Sequence, residues 1–150
     1  SEMCIRDSPD ISLTTDIIVG FPFETEEDFQ DTLSFVREVQ FSKVHVFPYS
    51  RRSGTVAADM AEQVPGDVKK DRVRRLLALS KELETEYMKK FIGKTLPVLM
   101  EVNRTDYSLG HTSNYLLVKV PGEYQSEDLV DVTITDVSYP YCLGEVSRSE

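Results

Sequence analysis

Apolar residues change their spacing along the chain, and each spacing predicts an element. Thr14-Thr-Asp-Ile-Ile-Val19 is a β-rich run of buried-strand length, and it stops at Gly20-Phe21-Pro22-Phe23, which predicts a turn. Thr25 follows as a helix N-cap, with Glu26, Glu27 and Asp28 at the positive end of the helix dipole. Asp28, three residues after Thr25, makes a weak capping box. Phe29, Leu33, Val36 and Val39 recur at helical spacing, so Glu26 to Val39 reads as an amphipathic helix. Lys43-Val-His-Val-Phe47 predicts a second strand, closed by Pro48. Strand, helix and strand within about 35 residues predict a βαβ unit with parallel strands.

Ser50 to Pro65 reads as a loop with a turn at Ser53-Gly54. A long helix is expected from Asp67 to about Lys90, with Val73, Leu76, Leu77, Leu83, Tyr87 and Met88 as its apolar stripe. After Phe91 the period drops to two. Leu96, Val98, Met100 and Val102 alternate with other residues, as do Val130, Val132 and Ile134, and Leu116 to Val120 is another strand candidate. Gly93, Gly110, Gly122 and Gly144 punctuate these runs. The fold class is therefore α/β plus all-β, the second part being a small barrel or sheet of about 60 residues.

Composition narrows the functional classes. Of 150 residues, 40% are hydrophobic, enough for a packed core. No apolar run approaches the roughly 18 residues of a membrane span, and the start of the chain has no apolar signal-peptide core. A cytoplasmic location is expected. Seventeen basic residues against 26 acidic ones give a net charge of −9, so nucleic-acid binding has to come from local patches. Two cysteines, Cys4 and Cys142, make a disulfide scaffold or a three-thiolate cluster site unexpected. No HExxH, Walker loop, GxSxG or CxxC occurs, which leaves zinc peptidase, NTPase and α/β-hydrolase readings without support.

In parallel βα units, functional groups gather at the C-terminal ends of strands. The first such loop, Gly20 to Thr25, leads into a helix N-terminus able to receive an anion, and Glu24 can accept from a ligand. A plain βα turn fits the same residues. In the second, Pro48 to Thr55, Arg52 can grip a carboxylate or phosphate, Ser50 and Thr55 add hydroxyls, and Tyr49 offers a flat face to a base. A solvated surface loop fits equally. His45 alternates with Val44 and Val46 and points opposite to them, more often a structural than a catalytic placement. Lys69, Lys70, Arg72, Arg74 and Arg75 make the long helix basic at its start, either as a solvated face, the commoner case, or as a phosphate-facing patch. Gly110-His-Thr-Ser-Asn-Tyr115 clusters rings, hydroxyls and an amide, which suits unpaired RNA bases, although a polar hairpin turn has the same composition.

Longer stretches carry a resemblance. Pro9 to Phe29, with Ile17-Ile-Val-Gly-Phe-Pro-Phe-Glu-Thr25 at its heart, resembles the fifth strand and following loop of the radical S-adenosylmethionine methylthiotransferases. His45-Val-Phe-Pro-Tyr-Ser-Arg-Arg-Ser-Gly-Thr55, with Ala57-Ala58 and Met60, resembles their sixth strand and loop. Residues 91–150 resemble the TRAM domain, the small β-barrel with which these enzymes grip RNA. The phrases His45-Val-Phe-Pro-Tyr-Ser50 and Gly110-His-Thr-Ser-Asn-Tyr115 look most like the branch acting on threonylcarbamoyladenosine beside the tRNA anticodon. The isopentenyladenosine and ribosomal-protein branches are the alternatives.

The resemblance implies a partial radical-SAM (β/α) barrel over 9–62, a linking helix over 63–90 and a TRAM RNA-binding domain over 91–150, after a leader at 1–8 expected to be non-native. It implies methylthiolation at carbon 2 of a modified adenosine, driven by a 5′-deoxyadenosyl radical. It places Gly20, Phe21, Glu24, Phe47, Tyr49, Ser50 and Arg52 around the cofactor or the substrate base. Lys69, Lys70, Arg72, His111, Asn114, Tyr115 and Lys119 would face RNA, with the anticodon stem-loop as partner. S-adenosylmethionine and two 4Fe–4S clusters are the family's cofactors. The family's CxxxCxxC is absent from this chain, so it reads as a C-terminal third with no catalytic residue or cluster of its own, completed by a missing N-terminal part. Alone, it would be a noncatalytic RNA-binding fragment. Phe23 stands where the family usually has Gly. If the backbone there needs φ > 0, Phe costs roughly 1–2 kcal/mol.

Overall fold

A computed structural model gives the fold and describes residues 12–146. Cys4 and the expected leader lie outside the described residues. Two compact units form, Leu13–Glu84 and the segment from Thr85 onward.

In the first unit β1 (Thr14–Val19), α1 (Glu26–Val39) and β2 (Lys43–Pro48) follow in order, and the two strands pair in parallel from Thr14↔Lys43 to Val19↔Pro48. The expected βαβ unit is thus present. Thr25 caps α1 with a complete capping box: Asp28 N donates to Thr25 Oγ1 and Thr25 N donates to Asp28 Oδ2, both at 3.0 Å. Two of the orphan N–H groups at this helix end are satisfied reciprocally. One face of the sheet buries Val19 and Val44 with Phe29, Leu33 and Val36 of α1. The other face leaves Ile18 and Phe47 exposed. The apolar run of β1 reads as a strand buried on both sides, yet among the described residues only one side is covered.

A single 3₁₀ turn, Ala57–Asp59, interrupts the following loop. Then α2 (Gly66–Lys89) runs for 24 residues. Leu76, Leu79 and Leu83 enter the core of the first unit, while Tyr87 and Met88 belong to the core of the second. The residues of α2 before Glu84 thus pack in the first unit and those after it in the second. Leu77, expected on the apolar stripe, is 49% exposed. It follows Leu76 by about 100° of helical rotation, which turns it off the face shared by Leu76, Leu79 and Leu83.

The second unit is a closed barrel of β3 (Thr95–Asn103), β4 (Tyr107–His111), β5 (Leu117–Pro121), β6 (Leu129–Ser138) and β7 (Tyr141–Val146). The strand order is β3-β4-β5-β7-β6, closed by β6 on β3, and only β5–β7 is parallel. Val98, Met100, Val118, Val120, Val132, Ile134 and Cys142 point inward around Phe91. Val102 leaves the core because the register slips between Met100 and Val102.

Gly110 and Gly144, which read as punctuation between strands, lie inside β4 and β7. A Cβ at Gly110 would overlap the Leu99 carbonyl, and one at Gly144 would overlap Val132 Cγ1. These two positions let neighbouring strands close the small barrel. Gly110→Ala is accordingly expected to cost about 1–3 kcal/mol through overpacking, measured as a lower urea midpoint at an unchanged slope.

Candidate cofactor and RNA sites

The candidate residues of the first unit gather at the C-terminal ends of β1 and β2. Gly20 adopts φ 80°, and a Cβ there would overlap the side chain of Lys69. Glu24 Oε1 accepts from Gly20 N at 3.0 Å and from Arg72 Nη1 at 2.7 Å. The same Nη1 donates to the Glu24 carbonyl at 3.0 Å. One guanidinium nitrogen thus holds both the side chain and the backbone of the loop. Arg72 is 5% exposed. The basic start of α2 reads as a solvated face or, less commonly, as a phosphate-facing patch, but Arg72 faces inward and belongs to this brace. Breaking such a buried pair leaves an uncompensated charge.

Lys69 is also turned toward the loops. Its Nζ donates to the Tyr49 carbonyl at 3.3 Å and lies 5.7 Å from the Tyr49 ring centroid. Phe21 meets Tyr49 edge to face at 5.3 Å and remains 43% exposed. Tyr49 N donates to the Val19 carbonyl, and Phe23 N donates to the Glu62 carbonyl, both at 2.8 Å. Phe23 sits at φ 71°, so the condition for a strained aromatic at this position is met. Neither Tyr49 Oη nor Arg72 Nε, both buried, finds a hydrogen-bond partner among the described residues.

Phe47, Ser50, Arg52 and Lys70 are exposed. The Arg52 carbonyl accepts from Thr55, in a small turn that fixes the backbone and leaves the guanidinium outside. Arg51 instead donates from Nε to the Ala58 carbonyl at 2.8 Å. Phe21, Phe47, Ser50 and Arg52 are thus exposed residues at or just past the ends of two parallel strands, and rings, a hydroxyl and a guanidinium are the side-chain types that suit a nucleoside carrying a carboxylate, as S-adenosylmethionine does. Cys142 is the one cysteine among the described residues, and burial pushes its thiol up to about 11. No iron ligation is assigned to it.

Beyond Arg72, α2 makes a surface network. Arg75 holds Glu26 through two contacts of 2.8 and 2.9 Å, and Gln30 donates to the same carboxylate. The Arg75 and Gln30 hydrogen bonds hold the Glu26 carboxyl at about 2, below its ordinary 4.5.

In the barrel, the turn between β4 and β5 is built by Thr112. Its Oγ1 accepts from Leu116 N at 3.0 Å and donates to Asn114 Oδ1, while its carbonyl accepts from Tyr115 N. Asn114 Nδ2 donates to Tyr87 Oη at 3.2 Å. Asn114 therefore anchors the turn. Tyr115 is held at φ 66° and stands 78% exposed. His111 Nδ1 lies 2.9 Å from Glu101 Oε2, and Lys119 Nζ lies 4.3 Å from the Tyr107 ring centroid. Tyr107 and Tyr141, which flank Lys119, escape a reading by motif because they sit on separate strands.

No protein-family model matches the chain. It is 47% identical over 141 residues to a tRNA-2-methylthio-N(6)-dimethylallyladenosine synthase of Desulfitobacterium hafniense, covering 91% of this chain and 32% of that protein. It is 42% identical over 146 residues to a threonylcarbamoyladenosine tRNA methylthiotransferase of Bacillus subtilis, covering 93% of this chain and 32% of that one. With a Bacillus velezensis tRNA-2-methylthio-N(6)-dimethylallyladenosine synthase it shares 49% identity over 117 residues, 76% of this chain and 23% of the relative. The chain spans about a third of the length of the first two.

The brace, the strained Phe23 and the surface network each give a testable outcome. Arg72→Met should destabilise the chain by about 3–5 kcal/mol, because the half-buried Glu24 carboxylate loses its cation and keeps only the Gly20 N–H; Phe23→Gly should stabilise it by about 1 kcal/mol through relief of the left-handed strain. Urea unfolding of both variants checks the pair. Glu26 has a depressed native pKa, so its contribution is present above the ordinary value of 4.5 and is lost as pH falls toward about 2. A plot of melting temperature against pH should be flatter across that window in Glu26→Gln than in the parent.

Proposed function

Because the chain belongs to the tRNA methylthiotransferase family over the stretch it shares with these relatives, we propose that it carries the last strands of a radical-SAM barrel and a TRAM-type RNA module. The observation that supports this most is the placement of Phe21, Tyr49, Ser50 and Arg52 at the ends of two parallel strands. A parallel sheet is covered on both faces in nearly all proteins, whereas this two-strand sheet exposes Ile18 and Phe47 on one of them. Further barrel strands supplied by an N-terminal part would account for the open face. Location in the cytoplasm accords with a tRNA substrate and with the absence, among the described residues, of a helix able to cross a membrane.

When bound, S-adenosylmethionine would supply a methyl group and the radical reactivity that an aromatic C–H requires. This chain's own residues have simpler tasks. Phe21 and Phe47 would shield an adenine face, and Ser50 and Arg52 would hold polar groups of the cofactor or of the substrate base. Glu24 orients the Gly20–Phe23 backbone through its bonds to Gly20 N and Arg72. Clusters, where the family uses them, would be ligated by residues outside the described ones, and the 150-residue chain alone would bind RNA without turnover.

The substrate reading favoured here is threonylcarbamoyladenosine beside the anticodon. Its carboxylate calls for a cation, and Arg52 presents one past the end of β2. The identity with dimethylallyladenosine synthases favours an apolar adenosine substituent as the second reading. Grafting residues 9–150 onto the N-terminal part of a relative, in a host lacking its own enzyme, separates the two when modified tRNA nucleosides are measured by mass spectrometry. The methylthio-threonylcarbamoyl product is expected. Only the methylthio-dimethylallyl product would overturn the reading, and full activity of Arg52→Ala would withdraw the role of Arg52.

A further inference from the structure

Charge is unevenly distributed around the barrel. Strands β3, β6 and β7 carry acids: Glu101, Asp131 and Asp136, and Glu145. The β4–β5 hairpin has none from Tyr107 to Gly122, and Lys119 is the only Lys or Arg within any of the five strands. In a chain of net charge −9, this hairpin is a sector with no acid of its own, bordered by Asp106 and Glu123 and, through His111, by Glu101.

The outer face of the same sector is unusual for a small barrel. Tyr107 and Leu109 on β4, Lys119 on β5, and Tyr141 and Leu143 on β7 alternate with core residues and are all half-buried. Pairing of Leu109 with Lys119, and of Lys119 with Leu143, sets the lysine in the middle of this face. The Tyr107 ring lies 4.3 Å from its ammonium and the Tyr141 ring 5.6 Å. A cation between two rings combines a contact for phosphate with planes for bases. At the hairpin's far end Tyr115 is strained into the left-handed region and is 78% exposed. Burial within the chain does not offset that strain, which is the pattern of a residue held ready for a ligand.

We propose that the β4–β5 hairpin with Tyr141 of β7 is a two-station platform for unpaired RNA: Tyr115 stacks on one base at the tip, and Tyr107, Lys119 and Tyr141 take a second nucleotide on the barrel face. This rests on the tRNA reading above and adds to it the face that RNA occupies. His111, bonded to Glu101 between the two stations, orients the strand end and is not itself a station.

The test titrates the full 150-residue chain with a fluorescently labelled anticodon stem-loop and with a fully paired stem of equal length. The parent is expected to prefer the loop-bearing RNA. Tyr115→Ala and Tyr107→Leu are each expected to weaken that binding roughly ten-fold, the leucine keeping apolar packing while removing the ring plane. Tyr141→Phe should retain affinity, and Lys119→Met should lower it and make the dependence on salt shallower. If Tyr115→Ala weakens binding while Tyr107→Leu and Lys119→Met bind as the parent does, the second station is overturned and the RNA reading stands. Equal binding of both RNAs by the parent overturns the platform, and no binding of either overturns the platform and the RNA reading together.

Discussion

A guanidinium buried away from water is costly unless an acceptor meets it, and at Arg72 that acceptor is Glu24. The local geometry of the strand ends depends on this pair. Through Glu24 Oε1 it fixes Gly20 N, and through the Glu24 carbonyl it fixes the start of α1. Lys69, one helical turn earlier, lies where a Cβ of Gly20 would be and reaches the Tyr49 carbonyl. The two strand-end loops are therefore shaped by one helix, and Phe21 and Tyr49 meet because both backbones are held. Replacing Gly20 or Arg72 would disturb the loop that carries Phe21.

Backbone strain appears in each unit at an exposed aromatic, Phe23 in the first and Tyr115 in the second. Neighbouring hydrogen bonds impose it: Phe23 N is tied to Glu62, and Tyr115 N to Thr112. The two cases differ in what surrounds them. Around Tyr115 the turn is braced by hydrogen bonds of Thr112 and Asn114. Around Phe23 the strain has a simpler origin, a side chain at a position whose backbone suits glycine.

Much of the fold is legible in the residues because local rules and tertiary packing agree there. The β1–α1–β2 unit carries a strand run, a capping box and a 3.6-residue stripe that all point the same way. The barrel's β3, β5 and β6 show in their alternation. β7 does not, since Tyr141-Cys-Leu-Gly-Glu-Val146 is short and broken by a glycine whose value lies in a close strand approach. Arg72 is the instructive miss at the site. A run of basic residues reads as solvated surface, yet Arg72, Leu76, Leu79 and Leu83 share one helical phase, and that phase is the buried one. The signal was present in spacing and was masked by charge. Leu77 is the converse case, apolar in type and out of phase.

The acidity of the chain bears on how RNA binding can work. At physiological ionic strength charges are screened over about 8 Å, so the charges next to a contact weigh more on it than the sign of the whole molecule. The acids of β3 and β6 would slow encounter with a polyanion, and the proposed stacking would fall on the hairpin that carries none. A surface with one lysine releases few counterions, so its affinity comes mainly from rings and edges. Stacking needs bases that are already unpaired, because a paired base first has to be pulled from its helix. If the barrel binds RNA as proposed, its preference for a loop over a stem would come from what the hairpin lacks in positive charge as much as from the tyrosines it presents.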